Sequence, residues 1–306
     1  CELGLPDALT AAKTPEELAA AGYGSAPLLS RLLRSLAAYD VVKRRRDGRY
    51  TLAHAGLALT GRSSVAPMIR YANAPWHAAA YHRLADAIRN GADGFTLAYE
   101  RPLFAYLAQQ PAASNLFDGA MNALGELYAE PFARAYDFST VRTVVDVGGG
   151  TGALLAAVRE RYPAMQATVY ELPHVVRAAP PRSGIAFVEG DIVTQPPPPA
   201  DCYILSHVLH DWDDDRAGAI LRNVRAAMSE RARLLIFELV AAEDGNVWTP
   251  DRLTDVEMLT MLGGKERTRE AFAALLERSG LTLLAVHPAG VPEAVIECAP
   301  AGIPNR

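Results

Sequence analysis

Apolar residues follow two different patterns along the chain. Up to about residue 125 they recur at helical spacing. From about 140 they fall in short runs that end in acids and glycines. Thr14 followed by Pro15-Glu16-Glu17-Leu18 combines an N-cap with a proline at the first helical position, which predicts a helix start. Leu28, Leu29, Leu32, Leu33 and Leu36 predict a second helix with one apolar stripe. Two β-prone runs, Val41-Val42-Lys43 and Arg49-Tyr50-Thr51-Leu52, flank Asp47-Gly48 and predict a hairpin. Helices followed by a small hairpin are the pattern of a winged helix.

Further on, strands are predicted at 143–147, 167–170, 185–188, 201–205 and 233–237. Helices are predicted at 153–162 and after Asp213, where Ile220, Leu221, Val224 and Met228 share a face. Strands alternating with helices predict an α/β fold with a mostly parallel, doubly wound sheet. Pro196-Pro197-Pro198-Pro199 reads as a stiff connection between the third and fourth strands. The expected division is a helical domain over 1–125 and an α/β domain over 126–306.

Composition narrows the choice. The 306 residues suit two domains at about 150 each. A formal net charge of −5 argues against a general nucleic-acid partner. Lys43, Arg44, Arg45, Arg46 and Arg49 on the wing invite a DNA-binding reading. The Leu-rich helix before them carries only Arg31 and Arg34, so they read instead as solvated turn residues. No apolar run approaches the ~18 residues a membrane span needs, and no membrane partner is expected. Cys1, Cys202 and Cys298 give no disulfide framework and point to a reducing, cytoplasmic setting. The chain opens at Cys1 within what reads as a helix–turn, so a preceding segment is expected.

The first strand of the α/β domain runs into Asp146-Val147-Gly148-Gly149-Gly150-Thr151-Gly152-Ala153. Glycines there allow a tight turn and close backbone approach to a ligand. Gly148-x-Gly150-x-x-Ala153 satisfies the loose dinucleotide fingerprint, while Asp146-x-Gly148-x-Gly150-x-Gly152 suits S-adenosylmethionine. Charge separates the two: an acid at the cradle opposes a pyrophosphate and suits a sulfonium. Glu171 closes the second strand, where it can hold ribose hydroxyls, and Asp191 with Ile192 follows the third, where an acid suits the adenine amino group.

More specific signals follow. Leu205-Ser206-His207-Val208-Leu209-His210-Asp211-Trp212-Asp213 precedes a helix, and Asp255-Val256-Glu257-Met258-Leu259 precedes Gly263-Gly264-Lys265-Glu266-Arg267-Thr268. With the glycine loop, these segments resemble the S-adenosylmethionine-dependent O-methyltransferases of the caffeic acid and flavonoid type, whose bacterial members tailor antibiotics. The resemblance covers nearly the whole chain. It implies a Rossmann-like class I methyltransferase domain behind a winged-helix dimerisation domain, and hence a homodimer. It also implies a phenolic or polyketide-derived aromatic acceptor, with S-adenosylhomocysteine as product and no metal.

By the same resemblance, Gly148, Gly150, Glu171, Asp191, Ile192 and Ser206 hold the cofactor, and His210 is the catalytic base. Glu238 and Glu266 position that base, and Met121 and Asp211 lie on the acceptor side. Asp118, near Met121, departs from the asparagine common in that helix motif. A neutral His210 with one free ring nitrogen can take a phenol's proton, and an acid on the other nitrogen fixes its tautomer. Asp213 reads as a helix N-cap, Trp212 and Cys202 as packing residues, His207 as structural, and Lys265 and Arg267 as loop-ordering charges. His77, His82 and His174 have no partner identifiable from sequence. Three other readings stay open: a relative turned to hydroxylation or decarboxylation, a winged-helix regulator, and a nicotinamide-dependent oxidoreductase.

Overall fold

A computed structural model describes residues 1–61, 63–242 and 246–302. Contacts divide the chain into two compact units: Cys1–Ala74 with Ala112–Leu124, and Pro75–Pro111 with Gly125–Arg306. The expected single cut near residue 125 differs from this in one respect. Residues 75–111, helical in pattern, belong with the α/β unit.

The first unit holds α1 (Leu5–Ala8), α2 (Pro15–Ala20), α3 (Ala26–Ala38), the hairpin β1 (Val42–Arg44) and β2 (Tyr50–Leu52), α4 (His54–Leu57) and α5 (Ala66–Ala72). A capping box starts α2: Glu17 N–H donates to Thr14 Oγ1 at 3.1 Å, and Thr14 N–H to Glu17 Oε2 at 2.8 Å. The hairpin pairs antiparallel, Val42 opposite Leu52. Leu5, Leu9, Leu18, Leu29, Leu33, Val42 and Tyr50 form the core. The expected Leu stripe of α3 is divided. Leu29 and Leu33 are buried, whereas Leu28 and Leu32 are 60% and 40% exposed. Adjacent helical positions lie about 100° apart, so five leucines at these spacings span too wide an arc for one contact face.

The second unit holds α6 (Pro75–Tyr81), α7 (Leu84–Asn90), α8 (Gly94–Tyr99) and α9 (Leu103–Leu107); α10 (Pro111–Ala135) follows and is divided, Ala112–Leu124 belonging to the first unit. Next come β3 (Thr143–Val147), α11 (Ala153–Arg161), β4 (Gln166–Glu171), α12 (Pro173–Ala178), β5 (Ile185–Glu189) and β6 (Cys202–Ser206). After a 3-10 turn at Leu209–Asp211 come α13 (Asp214–Ala227), β7 (Arg233–Leu239), α14 (Pro250–Met261), α15 (Arg269–Arg278), β8 (Leu281–Pro288) and β9 (Glu293–Pro300).

These strands form one seven-stranded sheet in the order β5-β4-β3-β6-β7-β9-β8. β3 to β7 run parallel; β9 runs antiparallel to β7 and β8. Strand order reverses between β3 and β6, the crevice where α/β folds bind ligands beyond the carboxyl ends of the strands. The sheet is buried on both sides. Val147, Leu205, Ile236 and the face of α13 pack on one side; Phe132, Leu155, Val169 and Phe237 pack on the other. Because β9 is antiparallel, its first residue, Glu293, lies opposite Leu239 and so at the same edge as the ends of β6 and β7. No helix among the described residues is long and apolar enough to cross a membrane.

Candidate active site

The glycine loop begins where β3 ends. Gly148, Gly150 and Gly152 all have positive φ, at 75°, 55° and 74°. A Cβ at Gly148 would come within 2.9 Å of Val208 Cγ2, and one at Gly149 within 2.5 Å of Asp146 Oδ2. The loop therefore lies bare, with the Asp146 carboxylate beneath it. Asp146 is 1% exposed, and neither oxygen has a hydrogen-bond partner among the described residues. Burial, then the charge of Glu171, pushes its carboxyl up to about 7. Glu171 Oε2 accepts from Gly150 N–H at 3.2 Å and its Oε1 from Leu172 N–H at 2.7 Å. Asp191 Oδ1 accepts from Val193 N–H at 2.9 Å, and Asn223 holds the Ile192 carbonyl at 2.7 Å. Two acids beside a glycine cradle, one of them a buried carboxylate without a partner, fit a cationic cofactor and disfavour a pyrophosphate.

Ser206 ends β6 one residue beyond the pair Val147–Leu205, at the sheet edge where the glycine loop begins. The chain then turns sharply, with His207 at φ 52°. The 3-10 turn that follows hangs on Glu238. Its Oε1 accepts from the N–H groups of Val208, Leu209 and His210 at 3.2, 2.6 and 3.3 Å. Glu238 therefore holds the backbone of this turn, while Glu266 contacts the His210 ring. Glu266 Oε1 lies 2.9 Å from His210 Nδ1, and the opposite nitrogen, Nε2, faces Asp211 Oδ1 at 3.5 Å.

His210 is 7% exposed. Burial opposes its charge, but Glu266, Asp211 and Glu238 outweigh burial and raise it to about 9. Burial is also the largest cause that lifts Asp211, to about 6, and that raises Glu238.

The loop carrying Glu266 is held by residues on both sides. Asp255 Oδ1 on α14 accepts from Glu266 N–H at 2.8 Å. Lys265 N–H donates to the His210 carbonyl at 2.9 Å, and a Cβ on Gly264 would be driven into that same carbonyl oxygen. Arg267, 1% exposed, donates to the carbonyls of Leu209 and Trp212 at 2.8 Å each and pairs with Asp214 at 3.0 Å. Lys265 Nζ also reaches Asp214, at 2.9 Å. Both cations therefore order the loop, as expected. Asp213 caps α13 by accepting from Arg216 N–H at 2.9 Å, and Trp212 packs on Phe104 and beneath Arg216. Cys202 is fully buried.

Gly148, Gly150, Glu171, Asp191, Ile192, Ser206, His210, Asp211, Glu238 and Glu266 thus line one edge of the second unit. Met121 lies half-buried on α10 within the first unit. Sequence reasoning missed two clusters. His77 Nε2 lies 2.9 Å from Glu257 Oε1 and Tyr81 donates to Glu257 Oε2 at 2.5 Å, linking α6 to α14. His207 faces Glu293 Oε1 at 3.6 Å and stacks on Tyr128, ring centroids 5.5 Å apart. Neither acid stands in a recognisable spacing with its histidine; only the start of the antiparallel strand marks Glu293.

A class I S-adenosylmethionine-dependent methyltransferase is the class defined by this sheet order, glycine loop and acid-flanked histidine. The chain belongs to the O-methyltransferase family: its O-methyltransferase domain matches over residues 81–282 and its O-methyltransferase dimerisation domain over 1–62. It is 36% identical to a phenazine O-methyltransferase of Lysobacter antibioticus, over 98% of this chain and 90% of that one. Its fold matches the solved mitomycin 7-O-methyltransferase with a TM-score of 0.90 at 34% identity, over 98% and 91% of the two chains. It also matches an O-methyltransferase from neocarzinostatin biosynthesis, solved with S-adenosylhomocysteine and 1,4-dihydroxy-2-naphthoic acid. The TM-score there is 0.82 at 30% identity, over 97% and 93%. The protein is an S-adenosylmethionine-dependent O-methyltransferase of the antibiotic-tailoring type.

Proposed function

We propose that this enzyme methylates a phenolic hydroxyl of a small, polyketide-derived aromatic compound, with His210 as general base. The buried His210–Glu266 pair carries the reading. Glu266 on Nδ1 fixes the ring orientation, so that Nε2, on the side of Asp211, can take the acceptor's proton. When bound, S-adenosylmethionine supplies an activated methyl group on a cationic sulfur. Gly148 and Gly150 offer backbone to it, Glu171 accepts from its ribose, and Asp191 with Ile192 borders its adenine. Asp211 and Met121 serve the acceptor. A phenol's pKa near 10 makes proton removal during attack useful, and holding the acceptor in line supplies much of the remaining rate.

The aromatic compound bound by the neocarzinostatin relative supports the acceptor class. The dimerisation-domain match supports a homodimer. Leu28, Leu32 and Tyr39 lie exposed along one line of α3 and its C-cap, and supply apolar surface for a second copy.

The test is a screen of phenolic acids, aromatic amines and polyketide aglycones with S-adenosylmethionine, read by product mass and by the position of the added methyl. Methylation of a phenolic oxygen is expected. His210→Ala is expected to lose roughly 10²- to 10⁴-fold in rate while still binding S-adenosylhomocysteine. Full activity in that variant would show that positioning alone suffices, and methyl transfer only to amines would overturn the acceptor class.

A further inference from the structure

A second imidazole stands at the same edge with its own acid. His207 follows Ser206 directly, and its Nδ1 lies 3.2 Å from Ser206 Oγ. Its Nε2 points the other way, to Glu293 Oε1 at 3.6 Å. The ring is clamped by Tyr128 stacked on one face and by the perpendicular ring of Phe237, 5.6 Å away. Glu293 is 4% exposed. Burial opposes its ionisation, but His207, a backbone N–H and Tyr128 hold it below the usual carboxylate range. The left-handed backbone at His207 is uncommon for a residue with a side chain. It brings this imidazole back over Ser206.

We propose that Glu293 and His207 form a positioning relay that sets Ser206 Oγ as a hydrogen-bond acceptor facing the cationic cofactor. The inference rests on the methyltransferase reading above. In the tautomer of His207 that carries its hydrogen on Nε2, that hydrogen faces the Glu293 carboxylate, so Nδ1 accepts from the Ser206 hydroxyl. The hydroxyl hydrogen is thereby turned away from the cradle, and the oxygen lone pairs face it. Ser206 ends β6 at the sheet edge where β3 gives way to the glycine loop, so those lone pairs lie on the side where a positive ligand is favoured. No group in this relay exchanges a proton with the acceptor. These are positioning residues, distinct from His210, whose ring centroid is 5.6 Å from that of His207.

Calorimetric titration of the full chain with S-adenosylmethionine tests the relay, using Ser206→Ala, Glu293→Gln, His207→Ala and the double variant S206A/E293Q. Glu293→Gln keeps the shape and is expected to weaken binding about fivefold, as are S206A and H207A. The double variant is expected to bind no more weakly than S206A alone, because both changes remove the same interaction. His207→Asn, which tolerates the left-handed backbone and keeps an acceptor near the Nδ1 position, is expected to recover most of the affinity lost in H207A. Unchanged affinity in E293Q, or losses that multiply in the double variant, would overturn the relay. A drop in Tm without a change in affinity would likewise make these residues structural only. Failure of the wild-type chain to bind S-adenosylmethionine would instead sink the methyltransferase reading, and the relay with it.

Discussion

Glu266 and His210 stand 56 residues apart in sequence, yet Oε1 of one lies 2.9 Å from Nδ1 of the other in a buried pocket. The pair is set by backbone as much as by charge. Lys265 N–H holds the His210 carbonyl and Asp255 holds Glu266 N–H, so neither side chain is free to swing away. This pair is also the main reason the imidazole binds its proton tightly: burial works against the charge, and Glu266, Asp211 and Glu238 overcome it to reach about 9.

That balance predicts a pH dependence. A general base must be neutral, so kcat/KM is expected to rise with pH as His210 loses its proton on the way to about 9. Glu266→Gln removes a charge that favours the imidazolium, so the rising limb moves to lower pH while the rate falls roughly 10²-fold. The same linkage acts on stability. The folded pKa is raised above the unfolded value near 6.5, so the contribution is complete below pH ~6.5 and is lost as pH rises through about 9. A pH–rate profile that Glu266→Gln leaves in place would show that this carboxylate does not govern the base.

Glu238 calls for a different substitution pattern. Its Oε1 gathers three backbone N–H groups and does not contact the imidazole ring. Gln keeps a carbonyl acceptor there; Ala leaves three buried donors unpaired. Glu238→Ala is expected to cost about 3 kcal/mol and most of the activity, and Glu238→Gln about 1 kcal/mol. Denaturant unfolding of the two variants checks this. Equal losses would mean that the negative charge, not the acceptor, is what the turn requires.

Much of this architecture was legible because it is local. The five parallel strands, the Asp213 cap and the hairpin at Asp47-Gly48 each follow from residues close in sequence. Three things were not. Residues 75–111 read as helical like everything before them, and their place in the second unit depends on contacts far along the chain, such as His77 with Glu257. The burial of Leu29 and Leu33 but not Leu28 and Leu32 depends on which side of α3 meets the hairpin. The division of labour between Glu238 and Glu266 depends on a few ångströms of side-chain reach that residue type cannot disclose.

The two glycines of the Gly263-Gly264 pair should behave differently. Gly263 has φ 73°, and the nearest atom to an added Cβ is 3.7 Å away, so Gly263→Ala meets conformational strain of about 1–2 kcal/mol and no collision. At Gly264 the added Cβ meets the backbone of His210 and Asp211, which cannot yield without moving the 3-10 turn that carries His210. Gly264→Ala is therefore expected to destabilise by about 3 kcal/mol or more, with activity lost even where the chain remains folded. Thermal unfolding beside kcat separates the two, and a Gly264→Ala enzyme with normal activity would contradict the close approach.

Asp146 joins stability to cofactor binding with opposite signs. Its carboxyl is raised from 3.8 to about 7 by burial and by Glu171, so the folded chain retains a proton that the unfolded chain has released. Stability is accordingly expected to fall as pH rises from ~4 to about 7, and the full penalty persists above that. Asp146→Asn has nearly the same shape and no charge. In the absence of cofactor its Tm should exceed that of the wild type at pH 8, with the difference shrinking toward pH 5. Binding of S-adenosylmethionine should move the other way, because an ionised carboxylate beneath the glycine loop favours a cationic ligand. The variant should bind it more weakly, and the gap should widen as pH rises through 7. A Tm difference that is the same at both pH values would show that the buried charge is not its source. A gain in stability with no loss of affinity would show that Asp146 shapes the loop without attracting the cofactor.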